Sequence, residues 1–142
     1  MGLAGWSVGL LDGVRWIELP SVADSRGVLT AIESGQDIPF EIKRVFYMHH
    51  IQAERGGHAH TETDQVIIAV AGRLKMELLD GESALSFELK DPTKGLYVPR
   101  MIFIRHYDYS PGAVCLVLAS SHYDMAKSLR SWEDYLAARA KR

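Results

Sequence analysis

Val66-Ile67-Ile68-Ala69-Val70, followed by Leu74-Lys75-Met76-Glu77-Leu78 and the dipeptide Asp80-Gly81, is the stretch that decides the fold. The first run is continuous, β-branched and apolar, as in a strand buried on both faces. The second alternates apolar and charged residues with the period of two of a half-buried strand. Asp80-Gly81 is hairpin-turn chemistry, and it leads into a third alternating set, Leu85, Phe87 and Leu89. Outward from this centre, strands are expected over residues 14–19, 28–33, 42–51, 95–99 and 113–119, with turns at Asp24-Ser25-Arg26-Gly27 and Asp91-Pro92. Short strands punctuated by turns predict an all-β antiparallel jelly roll. Only the tail reads as helix. Met125, Leu129, Trp132 and Leu136 recur at helical spacing behind Asp124 as a cap, so an amphipathic C-terminal helix is expected to cover the end of the sheet.

Length and composition narrow the function classes. The chain has 142 residues, enough for a proper core, and a single domain over residues 1–142 is expected. Sixteen Lys and Arg stand against 18 Asp and Glu, a formal net charge of -2, so no basic stripe points to nucleic acid or to an anionic membrane surface. No run is long and apolar enough to span a bilayer, and the start of the chain lacks a basic n-region and carries Asp12, against a signal peptide. The single cysteine, Cys115, lies in Ala113-Val114-Cys115-Leu116-Val117-Leu118-Ala119, where it reads as a buried reduced thiol. With no disulfide framework, a cytoplasmic setting is expected.

Chemistry concentrates in Arg55-Gly56-Gly57-His58-Ala59-His60. Alternate residues of a strand project from one face, so His58 and His60 converge on one pocket while Ala59 points away. Two imidazoles aimed at one small molecule suit proton transfer or metal ligation. The plainer alternative makes them surface histidines on a turn. Their spacing matches the first half of the cupin signature: His-x-His, four residues, an acid, six residues and a glycine. Here the acid position holds Gln65 and the glycine is Gly72. The later ligand segment of such sites, Pro-x-Gly-x-x-His, corresponds to Pro99-Arg100-Met101-Ile102-Phe103-Ile104 and ends in an aliphatic residue. Neither Gln65 nor Ile104 supplies what a cation's charge and geometry need. The expectation is therefore a pocket that works without metal or other cofactor, with His58 and His60 as acid and base.

Five motifs, that stretch among them, occur in order from about residue 14 to residue 123, which is most of the chain: Asp24-x-Arg26-Gly27-x-Leu29-x-x-Ile32-Glu33, Pro39-Phe40-x-Ile42-Lys43-Arg44-Val45-Phe46-Tyr47, the Arg55 to His60 stretch, Gly95-Leu96-Tyr97-Val98-Pro99-x-Met101, and Cys115-Leu116-Val117-Leu118-Ala119-Ser120. On this ordered set the chain resembles the sugar-nucleotide 3,4-ketoisomerases, cupin-fold enzymes that convert a thymidine-diphosphate (TDP) 4-keto-6-deoxyglucose into its 3-keto isomer. The tail departs from the family pattern: Lys127-Ser128-Leu129-Arg130-Ser131-Trp132 stands where the family has Asp-Tyr-Ile-Arg-Asp-Tyr, and Phe103 replaces a tryptophan.

The resemblance implies an isomerase in which His58 removes a carbon proton, His60 moves hydroxyl protons and Tyr47 donates a hydrogen bond to the developing oxyanion. Arginine's planar fork matches phosphate oxygens, so Arg26, Arg44, Arg55 and Arg100, together with Lys43, are candidates for the diphosphate. Each also has a plain reading as a solvated or ion-paired residue beside a turn. Gln65 could hydrogen-bond a sugar hydroxyl, and Tyr97 could stack on thymine or pack in the core. His49 and His50 are adjacent and would face opposite ways in an extended chain, so at most one enters the pocket. His106 and His122 have no motif behind them and read as surface residues; Trp6, Trp16 and Trp132 read as core or interface. The expected partners are a TDP-linked 4-keto-6-deoxy sugar and a second copy of the chain, since the resemblance implies a homodimer and an open jelly-roll edge can be covered by strand exchange. Rival readings are a cupin-type 3,5-epimerase, a metal-dependent cupin oxygenase and a non-catalytic sugar-nucleotide sensor.

Overall fold

The β-branched and alternating runs fold as strands, in the order β1 (Arg15–Glu18), β2 (Ser21–Asp24), β3 (Gly27–Thr30), β4 (Arg44–Met48), β5 (Arg55–His60), β6 (Gln65–Ala71), β7 (Leu74–Leu79), β8 (Ala84–Leu89), β9 (Lys94–Val98), β10 (Phe103–Tyr107), β11 (Val114–Ala119) and β12 (Ser128–Leu129), before a helix α1 (Trp132–Ala140). This computed structural model describes residues 10–141, less the side chains at positions 10, 55 and 56; Trp6 lies outside the described residues, as does the side chain of Arg55.

The chain is an antiparallel jelly roll. One five-stranded sheet runs β1-β9-β6-β11-β4, the other β12-β5-β10-β7-β8, and β2-β3 form a separate hairpin. The opening run is buried on both faces from Val66 to Ala69, whereas Val70, at the end of the run, is 40% exposed. Ile67 and Ala69 of β6 face the second sheet and pack with Leu74, Met76 and Leu78 of β7 in the main core. Val66 and Ile68 face the other way, against Leu19, Ile38 and Leu118, with Phe40 and Ile42 of the long connection before β4 laid over them. Burying one such aliphatic side chain stabilises the fold by about 1.5–3 kcal/mol. The outer face of the second sheet is sealed by Tyr135 of α1 against Ala59, Met101 and Phe103.

The tail differs from the expected helix. Asp124 caps only a single 3-10 turn, Met125–Lys127. The chain then extends, because Ser128 and Leu129 pair with His60 and Ala59 of β5 and take their backbone hydrogen bonds from that edge. The helix begins seven residues after Met125, where the Ser131 hydroxyl accepts from the Asp134 amide. Its buried residue is Tyr135, while Met125, Trp132 and Leu136 of the predicted stripe stay exposed. Helical spacing was present in these residues, and strand pairing overrode it. The strands β2 and β10 lie outside the strands expected from the sequence pattern.

The Tyr135 hydroxyl reaches two main-chain carbonyls, Met101 O at 2.8 Å and Leu79 O at 3.3 Å. The amide of Met101 in turn donates to His60 O at 2.8 Å, so the helix is tied through one turn to the end of β5. Removing only that hydroxyl leaves buried carbonyls unpaired. Tyr135→Phe is therefore expected to lower the unfolding free energy by about 1–3 kcal/mol in urea titration, with an unchanged m-value; a midpoint equal to wild type would show that the hydroxyl does not hold the turn.

Candidate active site

His58 and His60 share the inner face of β5, and Ala59 between them is fully buried on the outer face. Their rings lie 5.1 Å apart between centroids and nearly perpendicular. Ile104 of β10 stands directly across from His58, and Ser128 of β12 directly across from His60. Between the two sheets these side chains line a cavity of about 520 Å³. Its wall on the core side is apolar and includes Ile67, Met76 and Cys115. Burial pushes the Cys115 thiol up to about 12, as expected of a reduced thiol that serves packing.

Arg44, Phe46 and Met48 alternate on β4 so that all three line the cavity. The Arg44 guanidinium lies 4.4 Å from the Phe46 ring centroid and 4.7 Å from that of Tyr123. Gln65 opens β6, two residues before Ile67, and is buried on the same face. A second chamber of about 430 Å³ shares Arg44, His60, Gln65 and Tyr123 with the first. It is lined also by Arg100, which binds Asp64 through Nε at 3.2 Å, and by Lys127, paired with Glu62 at 2.7 Å. The two chambers form one cleft. No Asp or Glu lines the histidine chamber among the described residues, whereas Arg44 and Arg130 both do.

The structure therefore brings His58, His60, Arg44, Gln65 and Arg100 together. It does not bring Tyr47, Tyr97, Lys43 or Arg26 there within one chain. Tyr47 follows the opposite alternation of β4 and is 62% exposed on the outer face. Tyr97 sits between the inward Leu96 and Val98, so its ring turns outward, 6.4 Å from Phe40 and beneath Arg15. Lys43 precedes β4 and pairs with Glu41. Arg26 stands at the tip of the β2-β3 hairpin, bound to Asp24 at 2.6 Å. His49 and His50 lie just beyond β4, where His50 takes a positive φ of 52°. That bend ends the extended alternation, so the two rings meet at a 2.6 Å contact between their Nδ1 atoms outside the cleft.

His106 corrects the sequence reading most sharply. It is 3% exposed and lines the histidine chamber, because it follows Ile104 by two residues on β10. Its Nδ1 contacts the Tyr109 hydroxyl, which also reaches the His106 carbonyl at 3.1 Å. The alternation Ile104-x-His106 was the available signal. Ser128 and Arg130 fall in the segment whose spacing predicts helix, and Tyr123, just before its cap, carries no motif of its own. His122 is exposed, as expected, though it borders the second chamber.

Burial, and then repulsion from His58 when it is protonated and from the Arg44 and Arg130 guanidinium groups, push the His60 imidazole down to about 4. It is thus neutral at pH 7 and able to accept or relay a proton. Between about pH 4 and the ordinary 6.5 the unfolded chain binds a proton that the native chain does not, so this group's contribution to stability is full above 6.5 and lost as the pH falls towards 4. In an NMR titration the His60 ring resonances are expected to move with a midpoint near 4, and His58→Asn to raise that midpoint; a wild-type midpoint near 6.5 would contradict the electrostatic picture. Among the described residues no group of three or more His, Cys, Asp or Glu side chains is arranged to hold a metal ion. No described helix is long and apolar enough to cross a membrane.

Known proteins with this architecture now enter. The family described as FdtA, "WxcM-like, C-terminal", matches residues 12–140. A TDP-4-oxo-6-deoxy-alpha-D-glucose-3,4-oxoisomerase from Aneurinibacillus thermoaerophilus is 37% identical over 121 residues, 84% of this chain and 87% of that protein. A histidine-to-asparagine mutant of the 3,4-ketoisomerase QdtA from Thermoanaerobacterium thermosaccharolyticum, solved in complex with TDP-4-keto-6-deoxyglucose, superposes with a TM-score of 0.87 at 37% identity, over 91% of this chain and 95% of that one. The WlaRB TDP-quinovose 3,4-ketoisomerase from Campylobacter jejuni gives 0.83 at 35% identity, over 88% and 98%. With the match running from the strands of the first sheet to the end of α1, the chain belongs to the FdtA (WxcM-like, C-terminal) family.

Proposed function

We propose that this chain is a metal-independent sugar-nucleotide 3,4-ketoisomerase, which moves the keto group of a TDP-linked 4-keto-6-deoxy hexose from C4 to C3. The observation that carries the reading is the pair of imidazoles 5.1 Å apart in a chamber that holds two arginines and no carboxylate. The names borne by its relatives support the same reaction and the same substrate class.

The chemistry follows from these groups. A ketone at C4 acidifies the C3 proton. His58 takes that proton as the C3–H bond breaks, the electron pair enters a C3–C4 double bond, and the C4 oxygen becomes an oxyanion. The C3 hydroxyl then loses its proton as C4 gains one, which leaves the ketone at C3. Nothing is oxidised overall and no hydride carrier is needed. His60, neutral at pH 7, moves protons between the two oxygens. Arg44 and Arg100 supply cations for the diphosphate from the second chamber, and Gln65 a hydrogen bond to a sugar hydroxyl. Arg55, whose backbone begins β5, is kept as a further diphosphate candidate. Ile104 across from His58 and an amide at Gln65 offer a cation no anionic ligand, which favours metal-free chemistry. A reduced, packed Cys115 suits a cytoplasmic enzyme.

In deuterated water, the chelator-treated protein given TDP-4-keto-6-deoxyglucose is expected to yield the 3-keto isomer with deuterium at the exchanging carbons by NMR. His58→Asn should lose both turnover and exchange at C3, because the C–H bond is never broken. His60→Asn should keep measurable C3 exchange while turnover falls by roughly 10²–10⁴-fold. Exchange kept in the first and abolished in the second would swap the two roles; label at C5 would mark an epimerase; activity lost with a stoichiometric metal would defeat the metal-free reading.

The assembly belongs to the same proposal. The β2-β3 hairpin exposes Val22, Val28 and Leu29, and the edge strand β4 exposes Val45 and Tyr47. A two-stranded hairpin with uncovered apolar residues is marginal in water. A second copy laid against these surfaces, with strand exchange as one form of it, would cover them and make Tyr47 an interface residue. Sedimentation at micromolar concentration is expected to show a dimer, and Val28→Asp combined with Leu29→Asp to weaken it; a wild-type monomer would overturn this part.

A further inference from the structure

The reaction needs a cation or donor at the C4 oxygen, and Tyr47, the sequence-based candidate, faces outward. We infer that Arg130, the residue directly after the short strand β12, is the catalytic residue that stabilises the enediolate oxyanion. This rests on the ketoisomerase reading above and assigns a residue to its charge-stabilising step.

Placement makes the case. Ser128 pairs with His60 and Leu129 with Ala59, and Arg130, which follows the strand, lines the same chamber as His58 and His60. Residues directly opposite in an antiparallel pair share a face. Leu129 accordingly joins the outer cluster with Ala59, while Ser128 and Arg130 line the histidine chamber. The Arg130 guanidinium donates through Nη2 to the Tyr123 hydroxyl at 3.3 Å, a neutral partner that fixes its direction without cancelling its charge. None of the ion pairs among the described residues includes Arg130.

Arg44 is the competing cation. Its guanidinium packs against the rings of Phe46 and Tyr123 and borders both chambers, which suits a group shared between sugar and diphosphate. Arg130 lines only the histidine chamber. A full positive charge in the same chamber as both imidazoles, with no carboxylate among the described lining residues, interacts most strongly with the species that carries charge at the reacting carbons. That species is the enediolate, and the neutral ketone gains far less.

The test compares wild type, Arg130→Gln and Arg130→Lys for C3 exchange in deuterated water, turnover and TDP affinity by calorimetry. Arg130→Gln is expected to lower both exchange and turnover by about 10²–10³-fold, the scale of losing one oxyanion donor, while TDP affinity stays within about threefold, which also reports a folded protein. Arg130→Lys keeps a cation without the planar fork and is expected to fall between, about tenfold below wild type. Either variant exchanging at the wild-type rate overturns the assignment. So does a tenfold or larger loss of TDP affinity with exchange intact, which would make Arg130 a diphosphate ligand, and so does an Arg130→Lys no better than Arg130→Gln. A wild-type protein that neither isomerises nor exchanges overturns the ketoisomerase reading, and this assignment with it.

Discussion

Strand β5 is held on both edges, by β10 on one side and β12 on the other, and the geometry of the histidine pair hangs on that double pairing. Its closest approach is at Gly57, where an added Cβ would lie 2.1 Å from Cε1 of Phe103. Phe103 has little room to withdraw, because the rings of Trp132 and Tyr135 stand against it at 5.1 and 5.4 Å. The helix at the end of the chain thus acts on the histidines without touching the cleft. It presses one aromatic ring onto the strand, ties the Met101 turn to the end of that strand, and so limits where His58 and His60 can stand. Positioning of this kind matters because a misplacement of about 1 Å at a reacting centre can cost about a hundredfold in rate.

Electrostatics complete what packing begins. The chain as a whole is slightly acidic, with a net charge of -2, yet its histidine chamber is lined by cations and neutral groups. Acids near it are engaged by cations, Asp64 by Arg100 and Glu62, in the adjoining chamber, by Lys127. A cavity with an apolar wall strengthens the field of the half-buried Arg44, since fewer waters screen it, while the exposed Arg130 acts from the rim. One consequence is already visible in the depressed His60 imidazole, kept neutral by burial and by the same cations that would favour an anionic intermediate. A proton carrier that stays neutral beside a group that welcomes negative charge is the combination an enolisation requires.

Third-imidazole placement extends this logic. His106 enters the chamber from β10 with its Nδ1 turned to Tyr109, so the ring's orientation is set from behind by a hydroxyl that also contacts its own main chain. The chamber therefore presents imidazoles from two adjacent strands to one ligand volume.

The sequence by itself determined the strand-rich architecture and the histidine pair, because both depend on period-two alternation, which is local. Val66 to Val70 announced a strand covered on both faces, and the two core clusters that share β6 are that coverage. His58-x-His60 and the register of Gln65 were equally legible, as one strand face each. What only the tertiary structure decided was everything that depends on which elements pair. Lys127 to Trp132 carries apolar spacing compatible with a helix, and the backbone hydrogen bonds offered by the free edge of β5 outweighed that local preference. With that pairing, Ser128 and Arg130 came to the site. Tyr47 and Tyr97 went the other way for the same reason: the face a residue takes is set by the inward neighbours on either side of it, Phe46 and Met48 for one and Leu96 and Val98 for the other, and the inward face is defined only once the two sheets have closed on each other.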